Sequence, residues 1–256
     1  MSTALLEVEG LSKRFHGIVA SDDIHFAVRE GELHAVIGPN GAGKTTLIGQ
    51  LAGEIPPDSG GIRFAGRDIA ALPAHRRSLL GLARSFQITS LFLDFTVLDN
   101  VALAVQAHAG HSFRFWRDAR REPGLREPAL KALKRVGLDD RVVTPASELS
   151  HGEHRQLEIA MALATGPRML LLDEPMAGLG LEASQRAVAM LRELKREYTI
   201  LLVEHDMEAV FALADRITVL FEGRVLASGT PEAIRGDAEV RRAYLGDLEV
   251  VEGGGP

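Results

Sequence analysis

Cysteine is absent from this sequence, which excludes thiol nucleophiles, thiolate metal sites and structural disulfides together. Any bound metal ion must therefore be held by oxygen or imidazole ligands. Long apolar runs are absent as well: nowhere do about 18 apolar residues follow one another, so we expect no segment to cross a bilayer. Residues 1–7 lack the basic stretch and apolar run of a signal peptide, and the predicted location is the cytoplasm.

An excess of positive charge is also missing. The 256 residues include 29 Lys and Arg against 35 Asp and Glu, a net charge of −6, so the chain lacks the basic surface expected of a dedicated nucleic-acid binder. With 46% hydrophobic and 25% charged residues, the composition is that of an ordinary globular protein. The length suits one large domain or two small ones.

Strand-like and helical segments alternate along most of the chain. After Gly43 the apolar period changes and predicts a helix over 44–51. Between 97 and 165 the signal is mainly helical, and Pro123 and Gly124 are expected to break its helices. The pattern indicates a parallel α/β sheet with an N-terminal antiparallel β layer and an inserted helical block. The predicted strands are 5–9, 24–28, 33–37, 61–66, 81–86, 169–172, 199–203, 217–221 and 224–227, and another helix is predicted near 182–197.

The segment after the predicted strand 33–37 has the pattern of a phosphate-binding loop, with two glycines four residues apart, then lysine and a hydroxyl. Glycines let consecutive backbone N–H groups turn towards an anion, and the following helix adds its positive N-terminal end. Lys44 is expected to reach the β and γ phosphates, and Thr45 to bind Mg²⁺. The strand before and the helix after favour this interpretation over a glycine-rich turn with an incidental lysine. The predicted nucleotide-binding residues are Gly38, Pro39, Asn40, Gly41, Ala42, Gly43, Lys44, Thr45 and Thr46.

Two adjacent carboxylates, Asp173 and Glu174, follow the apolar run 169–172. Charges in that position are costly unless they have partners or a function. The functional interpretation gives Asp173 the Mg²⁺, directly or through water, and Glu174 the water that attacks the γ phosphate. The alternative is a solvated turn after a core strand, which the phosphate-binding loop elsewhere in the chain makes less favoured.

A third apolar strand, 199–203, ends at Glu204 and His205. Ligands of parallel sheets bind beyond the carboxyl ends of the strands, so we expect Gly38, Asp173 and His205 to meet at one edge. From there His205 is expected to donate to the γ phosphate or to the attacking water.

A helix with an apolar face is predicted to begin after Ser150, where Ser150 and Glu153 have the spacing of a capping box. One interpretation is simply a well-capped helix. The other uses its exposed N-terminal amides as a second anion site. Since one loop already holds the nucleotide, a second site has a function if it faces the nucleotide of another subunit.

The order of these motifs resembles that of the ATP-binding cassette (ABC) ATPases of membrane transporters, over nearly the whole chain. The resemblance implies an α/β fold with a P-loop NTPase (RecA-like) core, an N-terminal antiparallel β layer and an inserted helical subdomain. It further implies that Phe15 stacks on adenine and that Gln87 links Mg²⁺ to the membrane subunits. The residues that carry the resemblance are 38–45, Gln87, the segment 149–153, 172–175 and His205, and within 149–153 the residues Ser150, His151, Gly152 and Glu153 are expected to bind the ATP of the partner subunit.

A narrower resemblance is to the longer ATPase subunit of importers of branched-chain amino acids and related amides. It is carried by Leu91, Phe92, Thr96, Val97, Asn100, the block 110–128, 157–160, 177–179, 203–207 and 243–246. It implies a second, different ATPase subunit, two membrane-spanning permease subunits, a solute-binding protein, and a place on the inner face of the membrane. The segment from Gln87 to Val97 is expected to transmit closure of the two ATPase subunits to the permeases.

One ABC domain is expected over 1–256: a nucleotide-binding core with its β layer over 1–87 and 166–246, a helical subdomain over 88–165 and a flexible tail over 247–256. Two residues depart from the commonest pattern of the family. His151 stands where the signature has glycine, and Gly180 stands where Asp or Asn is frequent. These departures predict that the two composite ATP sites of the assembly are not equivalent.

The segment 111–127 contains the only tryptophan and a local excess of arginine. Its aromatic residues are compatible with contact to a membrane subunit or an anionic lipid surface, and equally with an amphipathic surface helix.

Sibling transporters, for urea import or lipopolysaccharide export, remain the main alternative function. A DNA-maintenance ATPase would need a long coiled-coil insertion, which the sequence lacks. A phosphate-loop kinase would leave the segment 149–153 and His205 without a role.

Overall fold

A computed structural model describes residues 4–85, 91–110 and 122–243. They group into two compact units. The first unit comprises the described parts of 1–74 and 199–256, and the second comprises the described part of 75–198. These bounds differ from those predicted for the core and the helical subdomain, a division that stays a prediction. The predicted tail lies outside the described residues.

An antiparallel sheet in the first unit has the strand order β2-β1-β4-β5. In β1 and β2 the buried residues include Leu6, Val8 and Val28, which alternate with more exposed positions because successive side chains of a strand point to opposite faces. The predicted antiparallel β layer is confirmed, although its first two strands are longer than the apolar pattern indicated. The strands are β1 (Ala4–Phe15), β2 (Ile18–Arg29), β4 (Ser59–Phe64) and β5 (Arg67–Asp68).

Four further strands of the first unit lie in the order β10-β9-β3-β8. The central strand β3 pairs in parallel with both β8 and β9, and every residue of β3 and of β8 is buried. A continuous apolar run is typical of a parallel strand covered on both faces. The strands are β3 (Leu33–Ile37), β8 (Thr199–Val203), β9 (Arg216–Phe221) and β10 (Arg224–Gly229), and the helices of this unit are α1 (Lys44–Ala52), α7 (Met207–Leu213) and α8 (Pro231–Gly236).

A buried histidine fixes β3 against β9. His34 is fully buried, with Nδ1 2.8 Å from Glu32 Oε1 and Nε2 2.8 Å from Thr218 Oγ1. Because both ring nitrogens have a partner, the polar ring is compensated inside the apolar core. The strand that leads into the phosphate-binding loop is thereby held in register.

The second unit is mainly helical. Its two strands, β6 and β7, pair in parallel, with Arg84 opposite Leu171. The elements in chain order are α2 (Ala74–Leu79, which begins at the boundary of the units), β6 (Leu82–Arg84), α3 (Val97–Ala109), α4 (Pro123–Val136), a short 3₁₀ helix (Ala146–Glu148), α5 (His151–Leu163), β7 (Met169–Asp173) and α6 (Leu181–Leu194).

The prediction that Pro123 and Gly124 break the helical block was wrong in part, because α4 begins at Pro123 and continues through Gly124. Proline is tolerated in the first turn of a helix, where its missing N–H would have no partner within the helix. Within the described ranges, no helix combines the length and the apolar character needed to cross a membrane.

Candidate functional site

The loop between β3 and α1 fits its surroundings only with glycine at both ends. A Cβ atom on Gly38 would lie 2.3 Å from the carbonyl oxygen of Leu220, and one on Gly43 would lie 2.1 Å from that of Ala20. Gly43 also has a φ of 99°, in the left-handed region. The two glycines are thus required by close contact with main chain on either side of the loop, in β9 and in β2.

The interior of this loop holds a positive charge. The Lys44 ammonium donates hydrogen bonds to the carbonyl oxygens of Gly38, at 2.7 Å, and Pro39, at 3.0 Å. Lys44 is buried and begins α1, whose N-cap, Gly43, provides no side-chain cap. The positive end of the helix and the ammonium therefore act in the same place, which suits the binding of an anion such as a phosphate chain.

A hairpin also braces the loop from outside. The Gly223 amide, in the turn between β9 and β10, donates to the carbonyl oxygen of Ala42 at 3.1 Å, and the Asp22 amide donates to the carbonyl oxygen of Gly223 at 2.8 Å. Asn40, Gly41 and Thr45 are exposed at the open side of the loop. The loop is thus hydrogen-bonded to the β9–β10 hairpin, while these three residues remain accessible to a ligand.

Phe15 lies at the end of β1, where the turn into β2 begins. It is paired with Ile18, and both side chains are exposed, at 41% and 71%. The ammonium of Lys13 lies 5.4 Å from the centre of the Phe15 ring and 2.7 Å from Asp58 Oδ1. The hydrogen bond from Lys13 lowers the pKa of the Asp58 carboxyl. An exposed aromatic ring with an adjacent cation can stack on a flat ligand such as a nucleobase.

Glu204 and His205 directly follow β8. Because β8 is the parallel neighbour of β3, with Val203 opposite Val36, these residues leave the sheet at the same edge as Gly38. The Glu204 side chain is 1% exposed and accepts from the His205 amide at 3.1 Å, whereas the His205 side chain is 59% exposed. The imidazole is thus accessible to a ligand at that edge, while the carboxylate beside it is buried.

Asp173 and Glu174 belong to the second unit. The Asp173 carboxylate is 1% exposed, and its Oδ2 accepts a hydrogen bond at 3.0 Å from a guanidinium nitrogen of Arg84. Glu174 is half-buried and has a φ of 48°, a left-handed conformation that is unfavourable for a side chain with a Cβ. Four other non-glycine residues in the described ranges share this conformation: His16, Asp23, Ala65 and Glu222.

The capping box at the start of α5 is confirmed in full. Ser150 Oγ accepts from the Glu153 amide at 3.3 Å, and the Ser150 amide donates to Glu153 Oε2 at 2.8 Å. Arg141 lies 3.2 Å from the other carboxylate oxygen. Although partial burial opposes it, the hydrogen bond from the Ser150 amide, with Arg141, lowers the pKa of Glu153. The N-terminus of α5 is therefore fixed in place, with Ser150 at its tip.

His151 and Gly152, the next residues of α5, lie against the loop that follows Glu174. A Cβ on Gly152 would lie 3.5 Å from Leu179, and one on Gly178 would lie 3.5 Å from His151 Nε2. A cleft of about 590 Å³ opens beside these residues, lined among others by Arg141, Arg155 and Arg186. The imidazole at position 151 is thus packed onto the 175–180 loop, which ends at Gly180, the N-cap of α6.

A second carboxylate of α5 is in the opposite environment. Glu158 is 3% exposed, and its Oε2 accepts from Arg155 at 3.1 Å. Burial raises the pKa of the Glu158 carboxyl in spite of the arginine. Five positions in α5 therefore separate a carboxylate that folding makes more acidic, Glu153, from one that folding makes less acidic, Glu158.

Asn100, in α3, fixes the turn 92–96 that precedes α3. The fully buried Asn100 amide donates at 3.0 Å to the carbonyl oxygens of Phe92 and Thr96, and its Oδ1 accepts from the Phe92 amide at 2.9 Å. Phe92, Leu93 and Phe95 are exposed at 55%, 49% and 36%, and the two phenyl rings lie 5.3 Å apart. We call these three side chains the apolar turn surface.

The residues predicted to hold Mg²⁺ fall into three groups. Thr45 lies in the first unit and Asp173 in the second, and Gln87 lies outside the described residues. Over the part of the chain that the structure describes, no group of three or more His, Asp or Glu residues could bind a metal ion. Mg²⁺ is commonly held by one or two protein ligands together with substrate phosphates and water. The Asp173 carboxylate, which stands at the end of β7, is an oxygen ligand of the kind that suits such a site.

Arg84 and Asn100 are site residues whose individual roles the sequence did not indicate. Arg84 is a charged residue within the otherwise apolar segment 82–84, and this was the signal available. Phe15, 38–46 and His205 are placed in the first unit, and 150–153, Asp173 and Glu174 in the second. The expected meeting of Asp173 with the loop and His205 stays a prediction, as does any role of 111–127, most of which lies outside the described residues.

Comparison with known proteins supports a common origin over nearly the whole length. The family described as ABC transporter matches residues 21–177, and the family described as branched-chain amino acid ATP-binding cassette transporter matches 224–249. The high-affinity branched-chain amino acid transport ATP-binding protein BraF of Pseudomonas aeruginosa is 40% identical, covering 96% of this chain and 100% of its own length.

Two further proteins show how widely the likeness extends. The lipopolysaccharide export system ATP-binding protein LptB of Acidithiobacillus ferridurans is 36% identical, over 95% of this chain and 97% of its own. A solved ATP-binding cassette of an ABC transporter, in its ADP conformation, superposes with a TM-score of 0.85 at 29% identity, over 96% of this chain and 100% of its own. The predicted α/β P-loop fold is therefore confirmed.

Proposed function

The chain belongs to the ABC transporter family of ATPases, and we propose that it powers an importer of branched-chain amino acids or related amides. The observation that carries this proposal is the match of residues 224–249 to a family specific to branched-chain amino acid transporters. That segment lies outside the nucleotide-binding motifs, so its match does not follow from ATPase chemistry alone. The high identity to BraF supports the same substrate class.

ATP binding is assigned to the first unit. The loop 38–46 would surround the phosphates with backbone N–H groups, and the Lys44 ammonium would exchange its contacts with Gly38 and Pro39 for phosphate oxygens. Phe15 would stack on the adenine ring, which its exposure and the cation of Lys13 favour. The loop is already formed and braced, so binding requires little rearrangement of the main chain.

Metal binding is assigned to Thr45 and Asp173, with Gln87 as the link to the membrane subunits. Mg²⁺ held there would neutralise negative charge on the phosphates during the reaction. The Thr45 hydroxyl is exposed at the front of the loop, and the Asp173 carboxylate stands at the end of β7. Oxygen ligands of this kind suit Mg²⁺.

Hydrolysis is assigned to Glu174 and His205. The Glu174 carboxylate would orient the attacking water and accept its proton, as a general base. The exposed imidazole of His205 would donate to the γ phosphate or to that water, and Lys44 would stabilise the phosphate charge in the transition state. The position of Glu174 directly after the buried strand β7, next to Asp173, supports this role.

The segment 149–153 is assigned to a second subunit's nucleotide. Ser150 at the N-cap of α5, with His151, Gly152 and Glu153, would close over the ATP held by a second ABC ATPase subunit, which is a different chain in this proposal. Closure would be transmitted through 87–97 to two permease subunits on the cytoplasmic face of the membrane, and a solute-binding protein would deliver the substrate to them.

A reconstitution experiment tests the proposal. The chain is purified with the permeases and the second ATPase subunit that bind it, and the complex is placed in vesicles with ATP. Uptake of leucine, short amides and urea is then assayed in the presence of the solute-binding protein. Uptake of leucine, abolished in Glu174→Gln, is the expected result. The rival function is lipopolysaccharide export, which the 36% identity to LptB favours more weakly. Co-purification with lipopolysaccharide-extracting subunits, or transport of urea alone, would overturn the proposal.

A further inference from the structure

The second unit contains a buried ion pair between Arg84 and Asp173, and the proposed function assigns a role only to Asp173. Arg84 and Asp173 have side chains that are 10% and 1% exposed, and Nη2 lies 3.0 Å from Oδ2. The pairing of β6 with β7 brings them together, since Arg84 lies opposite Leu171 and the Ser85 amide donates to the Leu171 carbonyl oxygen. The contact is thus built into the sheet and does not depend on flexible side chains at the surface.

Burying such an ion pair is unfavourable to the free energy of folding. Removing two charges from water is unfavourable, and replacing a buried pair with apolar residues is often neutral or stabilising. The neighbouring residues Leu82 and Ala83 are buried and apolar, so packing alone would favour a third apolar residue at 84. Asp173 is explained by metal binding, but a guanidinium directed at a metal-binding carboxylate needs a separate reason.

We propose that Arg84 is a positioning residue that occupies Asp173 until nucleotide arrives, so that this site captures Mg²⁺ only together with a triphosphate. The inference rests on the assignment of Asp173 to Mg²⁺ in the proposed function. Two cations at one carboxylate repel each other strongly in a buried environment, where the effective dielectric constant is far below that of water. Arg84 therefore weakens the binding of a lone divalent ion.

The charge of the triphosphate removes this obstacle. Its oxygens add negative charge, so that Asp173 no longer has to compensate both Arg84 and Mg²⁺ by itself. Proteins bind Mg²⁺ most readily together with substrate phosphates. Until then, the hydrogen bond from Arg84 holds the Asp173 carboxylate in one orientation. Arg84 acts through Asp173 and contacts neither the nucleotide nor the attacking water in this proposal.

Binding of Mn²⁺ to the nucleotide-free, full-length chain tests the inference. Arg84→Gln keeps an N–H donor near Asp173 but removes the positive charge, and Arg84→Lys keeps the charge. Titration followed by electron paramagnetic resonance should give at least about tenfold tighter Mn²⁺ binding for Arg84→Gln than for the natural chain. Arg84→Lys should bind like the natural chain, and Arg84→Gln with Asp173→Asn should lose the gain.

Each outcome decides one question. A folded Arg84→Gln variant that binds Mn²⁺ no more tightly than the natural chain overturns the role of Arg84. Unchanged nucleotide-dependent Mn²⁺ binding in Asp173→Asn overturns the assignment of Asp173 instead. If Arg84→Gln does not fold, the Nε–H resonance of Arg84 in the natural chain gives the answer: Mg²⁺ alone must leave it unshifted, and Mg²⁺ with a non-hydrolysable ATP analogue must shift it. A shift caused by Mg²⁺ alone contradicts the proposal.

Discussion

Gly43 lies so close to Ala20 that a Cβ on Gly43 would stand 2.1 Å from the Ala20 carbonyl oxygen. We expect Gly43→Ala to lower the free energy of unfolding by about 3 kcal/mol, from overpacking against main chain and from the left-handed φ, and to weaken ATP binding by tenfold or more. Urea unfolding and titration with a fluorescent ATP analogue measure the two effects.

Gly31→Ala is the control for that substitution. Gly31 has a φ of 79°, and no described atom beyond its own residue and its two chain neighbours lies within 4 Å of where its Cβ would be. Only the conformational cost of about 1 kcal/mol should therefore appear. Equal losses in the two variants would show that contact with Ala20 does not matter.

Glu174→Gln should lower the rate of ATP hydrolysis by about 10²-fold or more, because an amide cannot accept the proton of the attacking water. ATP binding should persist, and the ATP-bound form should accumulate as the closed dimer, detectable by size-exclusion chromatography. Glu193→Gln, at an exposed position on α6, is the control and should leave turnover unchanged. Normal turnover in Glu174→Gln would remove this residue as the base.

His205→Ala should reduce kcat by about 10²-fold while changing KM for ATP little, since its proposed donor acts on charge that develops in the transition state. Steady-state release of phosphate measures both constants. His25→Ala, which removes an exposed imidazole from β2, is the matched control. A rise in KM with constant kcat would instead assign His205 to ground-state binding.

Phe15→Ala should weaken ATP binding by about 1–3 kcal/mol, the usual contribution of stacking between a base and an aromatic ring, and Phe15→Trp should restore it. Ile18→Ala tests the same turn without removing an aromatic ring, because Ile18 is the exposed pairing partner of Phe15. If both alanine variants bind ATP equally, Phe15 does not stack on the base.

Glu153 and Glu158 should affect stability with opposite dependence on pH. The lowered pKa of Glu153 gives stability that is present above its usual 4.5 and is lost as pH falls through the folded value, so Glu153→Gln should be most harmful near neutral pH. The raised pKa of Glu158 makes the natural chain lose stability relative to Glu158→Gln as pH rises from 4.5 through the folded value. Urea unfolding at pH 4, 6 and 8 measures both slopes, and slopes of the same sign would contradict the assignment.

Local patterns in the sequence were sufficient to predict those features that depend on interactions between residues close together in the chain. The phosphate-binding loop and the start of α1 follow from the glycine and lysine spacing, and the capping box follows from Ser150 and Glu153. The apolar alternation predicted too short a strand for β1. The pairing with β2 continues through polar residues such as Lys13 and Arg14. Polar residues also supply the backbone donor and acceptor that pair two strands, so the pairing continues through them.

Contacts between distant segments could not be predicted in the same way. Arg84 and Asp173 are separated by 89 positions and meet only because β6 pairs with β7. The sequence places a charge in an apolar strand but does not indicate its partner. Likewise Pro123 indicated a boundary, and only the surrounding structure shows that a helix begins there.

The four hydrogen bonds of Asn100 to the main chain at Phe92, Phe95 and Thr96 give the apolar turn surface a further property. Its backbone is already ordered before any partner arrives, so association would sacrifice little conformational entropy. The exposed rings therefore form a preorganised contact whose affinity depends on a residue that no partner would touch.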